Sequence, residues 1–161
     1  WDVASGQELA VLTGHERQVT SAHFSPDGSH VVTASYDNTA RLWDVVSGQE
    51  LAVLTGHEER IHSAHFSPDG NQVVTASSDN TARLWDVASG QELAMLTGHK
   101  NIVTSAHFSP DGSQVVTASE DKTARLWENF TLDELIERAK KRLPRQEMTA
   151  AEKEQFFVPD K

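Results

Sequence analysis

The chain has 161 residues, of which 37% are hydrophobic, and it carries a formal net charge of −10. This length suits about one ordinary domain. It contains no cysteine, which excludes disulfide bonds and cysteine-based metal sites and favours a reducing, cytoplasmic location. Sixteen acidic and seven basic residues fall within 1–127, and that excess disfavours nucleic acid as a partner because it repels the phosphate backbone.

The predicted elements are short strands separated by turns. The first is a strand at 8–12 (ELAVL), and a second follows at 19–24 (VTSAHF). In SPDGS, Pro26 presets φ and Gly28 supplies a left-handed position, so the sequence predicts a tight turn there. The next segments predict three more strands, which are 31–35 (VVTAS), 39–43 (TARLW) and 50–54 (ELAVL). Strands of this length with turns every 8–12 residues are typical of antiparallel sheets.

The same pattern recurs with a period of 42 residues. Trp stands at 1, 43, 85 and 127, and 31 of the 42 positions are identical in all three copies. Gly-His stands at 14–15, 56–57 and 98–99, and Trp-Asp at 1–2, 43–44 and 85–86. The fourth Trp is followed by Glu128. A 42-residue repeat that contains these two dipeptides resembles the repeat of the WD-repeat β-propeller family, in which each repeat supplies one four-stranded blade.

Four polar or aromatic residues keep a fixed spacing in every repeat: His15, Thr33, Asp37, Trp43; His57, Thr75, Asp79, Trp85; and His99, Thr117, Asp121, Trp127. A hydroxyl, an imidazole and a carboxylate are also the groups of a hydrolase. The resemblance instead implies a buried, hydrogen-bonded structural network, and three equal copies favour that interpretation because an enzyme needs one active site. We therefore predict no catalytic residue and no cofactor, and keep a hydrolase as an unfavoured alternative.

A second set of histidines, His23, His65 and His107, comes one residue before a Phe in each repeat. No pair among the eight histidines has the spacing of zinc ligands beside a third ligand. His62 and His65 come closest, but on a strand they face opposite sides. We predict packing between blades for this set and no metal site.

The eleven variable positions of the repeat are concentrated, because five of them are consecutive, at 16–20, 58–62 and 100–104. In the resembled family, positions three and five after the network His, and the one before the network Asp, converge on one face that commonly holds the partner. The resemblance assigns these to Gln18, Thr20, Tyr36, Arg60, His62, Ser78, Ile102, Thr104 and Glu120. We refer to these nine residues as the variable face. The resemblance therefore implies a non-catalytic scaffold that binds a protein or peptide through the variable face.

Counting strands predicts an incomplete ring. The strand 8–12 would be the last strand of a preceding blade, with blades at about 19–54, 61–96 and 103–127, the last lacking its fourth strand. Propellers close with about 4–8 blades, so three blades would leave open ends. Either further blades exist in a longer protein, which we favour because residue 1 falls inside a motif, or copies of the chain associate into a homo-oligomer.

Residues 128–161 predict a helical tail. Thr131 and Glu134 form a capping box before an amphipathic stretch at 131–143, and 149–157 repeats the device. The segment RLPRQEMTAAEKEQFF is similar to the end of bacterial multidomain WD-repeat proteins, including large STAND-type ATPases. That resemblance implies a bacterial signalling protein in which an ATPase or effector domain lies upstream of the propeller.

Overall fold

A computed structural model describes residues 3–129 and places eleven β-strands in that range. The strands are β1 (Val19–Phe24), β2 (His30–Ser35), β3 (Ala40–Asp44), β4 (Glu50–Leu54), β5 (Ile61–Phe66), β6 (Gln72–Ser77), β7 (Ala82–Asp86), β8 (Glu92–Leu96), β9 (Val103–Phe108), β10 (Gln114–Ser119) and β11 (Ala124–Glu128). The all-β prediction is confirmed for this part of the chain. Within residues 3–129, no helix is long and apolar enough to cross a membrane.

The strands form three antiparallel sheets in which neighbours in the chain are neighbours in space. Blade 1 contains β1-β2-β3-β4, blade 2 contains β5-β6-β7-β8, and blade 3 contains β9-β10-β11. The register repeats from blade to blade, since Thr33 pairs with Arg41 in blade 1 and Thr75 with Arg83 in blade 2. The innermost strands β1, β5 and β9 lie side by side.

Turn chemistry explains why the chain reverses where it does. The Gly28 amide donates to the Ser25 carbonyl over 2.9 Å, and Gly28 has φ 73°. Between the second and third strands of each blade a non-glycine residue takes the left-handed conformation. Asn38 and Asn80 do so with φ 70° and 69°, and Lys122 with φ 71°. Asn tolerates this region better than Lys does.

The core lies between blades, because each sheet packs its face on the next one. Leu42 and Leu54 of blade 1 belong to one buried cluster with Ile61 and Val73 of blade 2. Val74 and Leu84 of blade 2 cluster with Val103 of blade 3 in the same manner. A blade therefore reaches full burial only when it has a neighbour on both faces.

The structure corrects one predicted element. Residues 8–12 are not a strand, although ELAVL at 50–54 is β4. A strand needs a hydrogen-bonded neighbour, and β4 has one in β3, whereas residues 3–129 offer no such neighbour to 8–12. The last blade ends at Glu128, one residue beyond the predicted bound, and it has three strands. The helices predicted at 131–143 and 149–157 lie outside the described residues.

Candidate functional site

The structure brings the four network residues of blade 2 into one hydrogen-bonded chain. Trp85 Nε1 donates to Thr75 Oγ1 over 2.9 Å, and Thr75 Oγ1 lies 2.7 Å from His57 Nε2. His57 Nδ1 lies 2.7 Å from Asp79 Oδ2. A carboxylate can only accept, so His57 Nδ1 donates to Asp79, while Thr75 Oγ1 accepts from Trp85 and hydrogen-bonds with His57 Nε2. The four groups thus link a loop, two strands and a turn.

Blades 1 and 3 contain the same chain with nearly the same lengths. In blade 1, His15 lies 2.8 Å from the Asp37 carboxylate and 2.7 Å from Thr33 Oγ1, and Trp43 donates to that hydroxyl over 2.8 Å. In blade 3, His99 lies 2.8 Å from the Asp121 carboxylate and 2.8 Å from Thr117 Oγ1, and Trp127 donates to that hydroxyl over 2.9 Å. The arrangement therefore belongs to the repeat and is independent of the variable residues.

Each network carboxylate also holds the turn that follows it. Asp79 accepts from the Thr81 hydroxyl over 2.6 Å, from the Thr81 amide over 3.0 Å and from the Glu58 amide over 3.2 Å. Burial alone would raise the pKa of the Asp79 carboxyl, but the hydrogen bonds from His57 and Thr81 outweigh it and hold that pKa well below its usual range. Asp79 is therefore ionised and fully used as an acceptor.

Ser77 and Thr81 complete the network, and the sequence interpretation did not include them. The Asp79 amide donates to Ser77 Oγ over 3.2 Å, and the Ser77 hydroxyl donates to the Glu59 carbonyl over 3.0 Å. Ser77 is completely buried. Both positions are Ser or Thr in all three repeats, so identity across repeats was the signal that could have found them.

The burial of the network disfavours a hydrolase. Thr75 is 0% exposed and its hydroxyl is already committed to His57 and Trp85. A nucleophile must reach an electrophilic atom of the substrate, and a hydroxyl enclosed between an imidazole and an indole has no such access. The His–Thr–Asp sets resemble catalytic groups in composition, but their placement suits positioning of the backbone.

The variable face contains a contact cluster of four side chains, which come from blades 1 and 2. The Arg60 guanidinium lies over the Tyr36 ring, 5.1 Å from its centroid. The Tyr36 and His62 rings meet edge to face with centroids 6.0 Å apart. His62 Nε2 hydrogen-bonds with Ser78 Oγ over 2.7 Å. Arg60 is exposed and the other three are half-buried, so the cluster is accessible from solvent.

The remaining five residues of the variable face hydrogen-bond outside this cluster, except that the Gln18 carbonyl accepts from Tyr36. The Tyr36 amide donates to the Gln18 carbonyl over 2.9 Å, and the Glu120 amide donates to the Ile102 carbonyl over 2.9 Å. The Thr20 hydroxyl donates to the Ile61 carbonyl, and the Thr104 hydroxyl donates to the Ala118 carbonyl. These contacts join neighbouring loops and strands through backbone groups.

Electrostatics couples His62 to blade 3. Burial lowers the pKa of His62, the negative charge of Glu120 opposes that change, and Arg60 adds to it. The charges of a cation on its own blade and of a carboxylate on the next one therefore act on the imidazole in opposite directions.

His23, His65 and His107 form a column along the innermost strands. The rings of His23 and His65 have centroids 4.0 Å apart, and those of His65 and His107 lie 4.1 Å apart. Burial, followed by the positive charges that His107 and His23 would carry, lowers the pKa of His65 to about 4. Among residues 3–129, no group of three or more His, Asp or Glu side chains is arranged to hold a metal ion.

Three antiparallel blades with a shared core between neighbours, and one buried His–Asp–Thr–Trp chain in each, define a repeat protein of the β-propeller class. The family model described as "WD domain, G-beta repeat" matches residues 6–44, 48–86 and 90–128. The chain belongs to this family.

Single repeats of the chain are similar to several curated eukaryotic proteins. Guanine nucleotide-binding protein subunit beta-5b of Danio rerio is 45% identical over 42 residues, which are 26% of this chain and 11% of that protein. Pre-mRNA-processing factor 19 homolog 2 of Arabidopsis thaliana is 50% identical over 42 residues, 26% of this chain and 8% of that protein. Ribosome assembly protein 4 of Saccharomyces cerevisiae is 45% identical over 38 residues, 24% and 7% respectively. The matched segment spans about a tenth or less of each relative.

Proposed function

We propose that this chain is a non-catalytic scaffold that binds a protein or peptide through the variable face. The observation that carries the proposal is the cluster of Tyr36, Arg60, His62 and Ser78, which occupies positions that differ between repeats sharing 31 of their 42 residues. Tyr and Arg are enriched among the residues that dominate binding energy at interfaces. The names of the relatives support this class, since they describe a subunit, a processing factor and an assembly protein.

The networks would serve binding by holding the variable loops in place before a partner arrives. Asp79 fixes the Glu58 amide and Ser77 fixes the Glu59 carbonyl, so the two residues that precede Arg60 in the loop are anchored by the network. A preformed surface loses little conformational entropy on binding, which favours affinity. The buried polar groups thus stabilise the fold and position the contact residues at the same time.

The charge of the surface suggests which partner fits. Arg60 is a cation within an acidic repeat region, next to Glu58 and Glu59. Arg60 and the Tyr36 ring together suit a carboxylate or an aromatic side chain of a peptide, while the surrounding acidic residues repel a phosphate backbone. We therefore propose a protein or peptide partner and no nucleic acid or membrane.

Alanine substitution tests this assignment. Proteins captured from the native host by the wild-type chain are identified, and each purified candidate is titrated against R60A, Y36A and R17A. R17A is the matched control because it removes the same charge from a variable loop, while Arg17 does not belong to the variable face. Loss of a hot-spot residue is expected to weaken binding about 30-fold, equivalent to about 2 kcal/mol. Equal effects of R60A and R17A would contradict the proposal.

The wider context is also proposed. The segment RLPRQEMTAAEKEQFF supports a bacterial multidomain signalling protein with an upstream ATPase or effector domain. In that setting the blades would act as a sensor in the cytoplasm, without a cofactor or a metal of their own. Sequencing the locus immediately upstream of the codon for Trp1 tests this, because a nucleotide-binding motif followed by further repeats is expected there.

A second candidate function, self-association of the chain, is favoured by a specific observation. The outer faces of blades 1 and 3 carry apolar side chains that are buried at the equivalent positions between blades. In this function the chain would be a structural piece that completes its ring with another copy.

A further inference from the structure

The outer face of blade 3 presents apolar side chains that the same sequence buries elsewhere. Leu42 and Leu84 are 1% and 5% exposed, whereas the equivalent Leu126 is 69% exposed. Val116 is 39% exposed, although both of its equivalents are completely buried. We call this surface, which includes Val116, Ala124 and Leu126, the outgoing face. The difference arises because blades 1 and 2 are each followed by another blade in the described structure and blade 3 is not.

The outer face of blade 1 shows the complementary defect. Ile61 and Val103, which face the preceding blade, are both 0% exposed, whereas the equivalent Val19 is 46% exposed. Phe24 is 67% exposed, while its equivalents Phe66 and Phe108 are half-buried. We call this surface the incoming face. An outgoing face packs on an incoming face at both interfaces, the one between blades 1 and 2 and the one between blades 2 and 3.

One strand edge and one segment are also unmatched. In blades 1 and 2 the third strand pairs with a fourth, with Ala40 opposite Leu54 and Leu42 opposite Ala52 in blade 1. Within residues 3–129, β11 pairs only with β10. The sequence of β4, ELAVL, is also present at residues 8–12 and forms no strand there.

The ion pairs show the same mismatch. Arg41 Nη1 lies 2.6 Å from Glu50 Oε2, and Arg83 Nη1 lies 2.6 Å from Glu92 Oε2, so each pair joins a third strand to a fourth. The equivalent residues are Arg125 on β11 and Glu8 in the unmatched segment. Within the part of the chain that the structure describes, neither of them has an ion pair.

Residues 8–12 are already placed where a fourth strand belongs. A Cβ on Gly90 of blade 2 would lie 3.3 Å from Ala52 Cβ of β4, and one on Gly48 of blade 1 would lie 3.8 Å from Ala10 Cβ. The segment therefore contacts blade 1 at the position where β4 of blade 1 contacts blade 2. It occupies the place of the outermost strand of a preceding blade, and residues 3–129 do not contain the other three strands of such a blade.

We propose that two copies of this chain associate head to tail, with residues 8–12 of each copy pairing with β11 of the other. The register of blade 1 places the partner's Leu12 opposite Ala124, the partner's Ala10 opposite Leu126, and the partner's Glu8 beside Arg125. The outgoing face of each copy then packs on the incoming face of the other. Two copies of three blades make six, which lies within the range of closed propellers, and the assembly closes with two-fold symmetry. This inference rests on the self-association proposed above.

Charge reversal at the predicted ion pair provides the decisive test. The 161-residue chain is expected to have twice its mass of 17.7 kDa by light scattering across a dilution series. E8R and R125E should each weaken dimerisation about tenfold, because each places like charges opposite one another. An equimolar mixture of the two single variants should recover wild-type dimerisation, since both interfaces of that mixed dimer again join a cation to an anion. R41E is the control. Its ion pair with Glu50 lies within one chain, so mixing R41E with a second variant should not restore whatever R41E loses.

Proline substitution and cross-linking keep the proposal falsifiable if a charge variant fails to fold. At least one of A10P and V11P should weaken the dimer, because one of two adjacent amides in a strand points to the neighbouring strand, whereas A4P should not. The chain has no cysteine, so mixing A10C with L126C under oxidising conditions should yield one covalent dimer. If the chain is a dimer and none of these variants weakens it, the proposed pairing of residues 8–12 with β11 is wrong, while self-association stands. A monomer or a heterogeneous aggregate would overturn both.

Discussion

Replacing Asp79 with alanine tests whether the polar network holds the fold together. Asp79 is the acceptor for His57 Nδ1, for the hydroxyl and amide of Thr81, and for the amide of Glu58. The D79A variant removes all four hydrogen bonds while the indole, the imidazole and the hydroxyl of the same network remain. Because blade 2 has a neighbour on both faces, this is the copy of the network that water reaches least.

The expected loss follows from which donors water can reach. The His57 side chain is 0% exposed, so its Nδ1–H becomes an unsatisfied buried donor, and the half-buried amide of Thr81 becomes a second one. Glu58 is exposed and its amide can turn to water. Each unsatisfied buried group costs about 1–3 kcal/mol, so D79A should lower the free energy of unfolding by about 2–5 kcal/mol. Native domains are stable by about 5–15 kcal/mol, and the variant should therefore be near the limit of folding.

The matched variant is D121A in blade 3. Asp121 makes the same bonds to His99 and Thr123, but Thr123 is exposed. Water can hydrate the groups of Thr123 but not the His99 imidazole, whose side chain is 1% exposed, so D121A leaves one buried donor unsatisfied and we expect about half the loss caused by D79A. A comparison of the two variants separates burial from the identity of the deleted carboxylate.

Urea unfolding measures both variants, with Trp fluorescence and far-ultraviolet circular dichroism as independent probes of the transition. Trp43, Trp85 and Trp127 each belong to a network, so the summed emission reports the three sites together. A change below about 0.5 kcal/mol for D79A, which is typical of a surface substitution, would refute the reasoning. So would a folded D79A protein that has lost a chemical turnover measurable in the wild type, because that result would assign the network to catalysis.

Three further predictions concern single side chains. The folded-state pKa of His65 is lowered from 6.5 to about 4, so the contribution of neutral His65 to the free energy of unfolding is complete above pH 6.5 and is lost as the pH falls towards 4. That contribution amounts to about 1–2 kcal/mol after allowance for solvent screening. H65N should therefore flatten the dependence of stability on pH between these values. K122N should stabilise the chain by about 0.5–1 kcal/mol in thermal unfolding, because Lys122 has φ 71° and Asn tolerates that region, whereas N80K should destabilise it. H57Q should lower the midpoint of urea unfolding, and a variant as stable as the wild type would contradict a structural role for His57.

The sequence alone determined the repeat and its local chemistry. The 42-residue period fixed three equivalent units, Pro26 and Gly28 fixed the turn after the first strand, and the invariant spacing of His57, Thr75, Asp79 and Trp85 fixed which side chains could meet. These features depend on contacts within one blade, and a blade is a local structure whose neighbours in the chain are neighbours in the sheet.

The tertiary structure decided everything that depends on the next blade. Leu42 and Leu126 stand at the same position of the repeat, yet one is 1% and the other 69% exposed. ELAVL is a strand at 50–54 and not at 8–12, because a strand exists only where another strand satisfies its amides and carbonyls. The stacking of Arg60 over Tyr36 and the column of His23, His65 and His107 likewise depend on the distance between neighbouring blades. Identical sequences acquire different burial and different partners because packing is a property of pairs of surfaces.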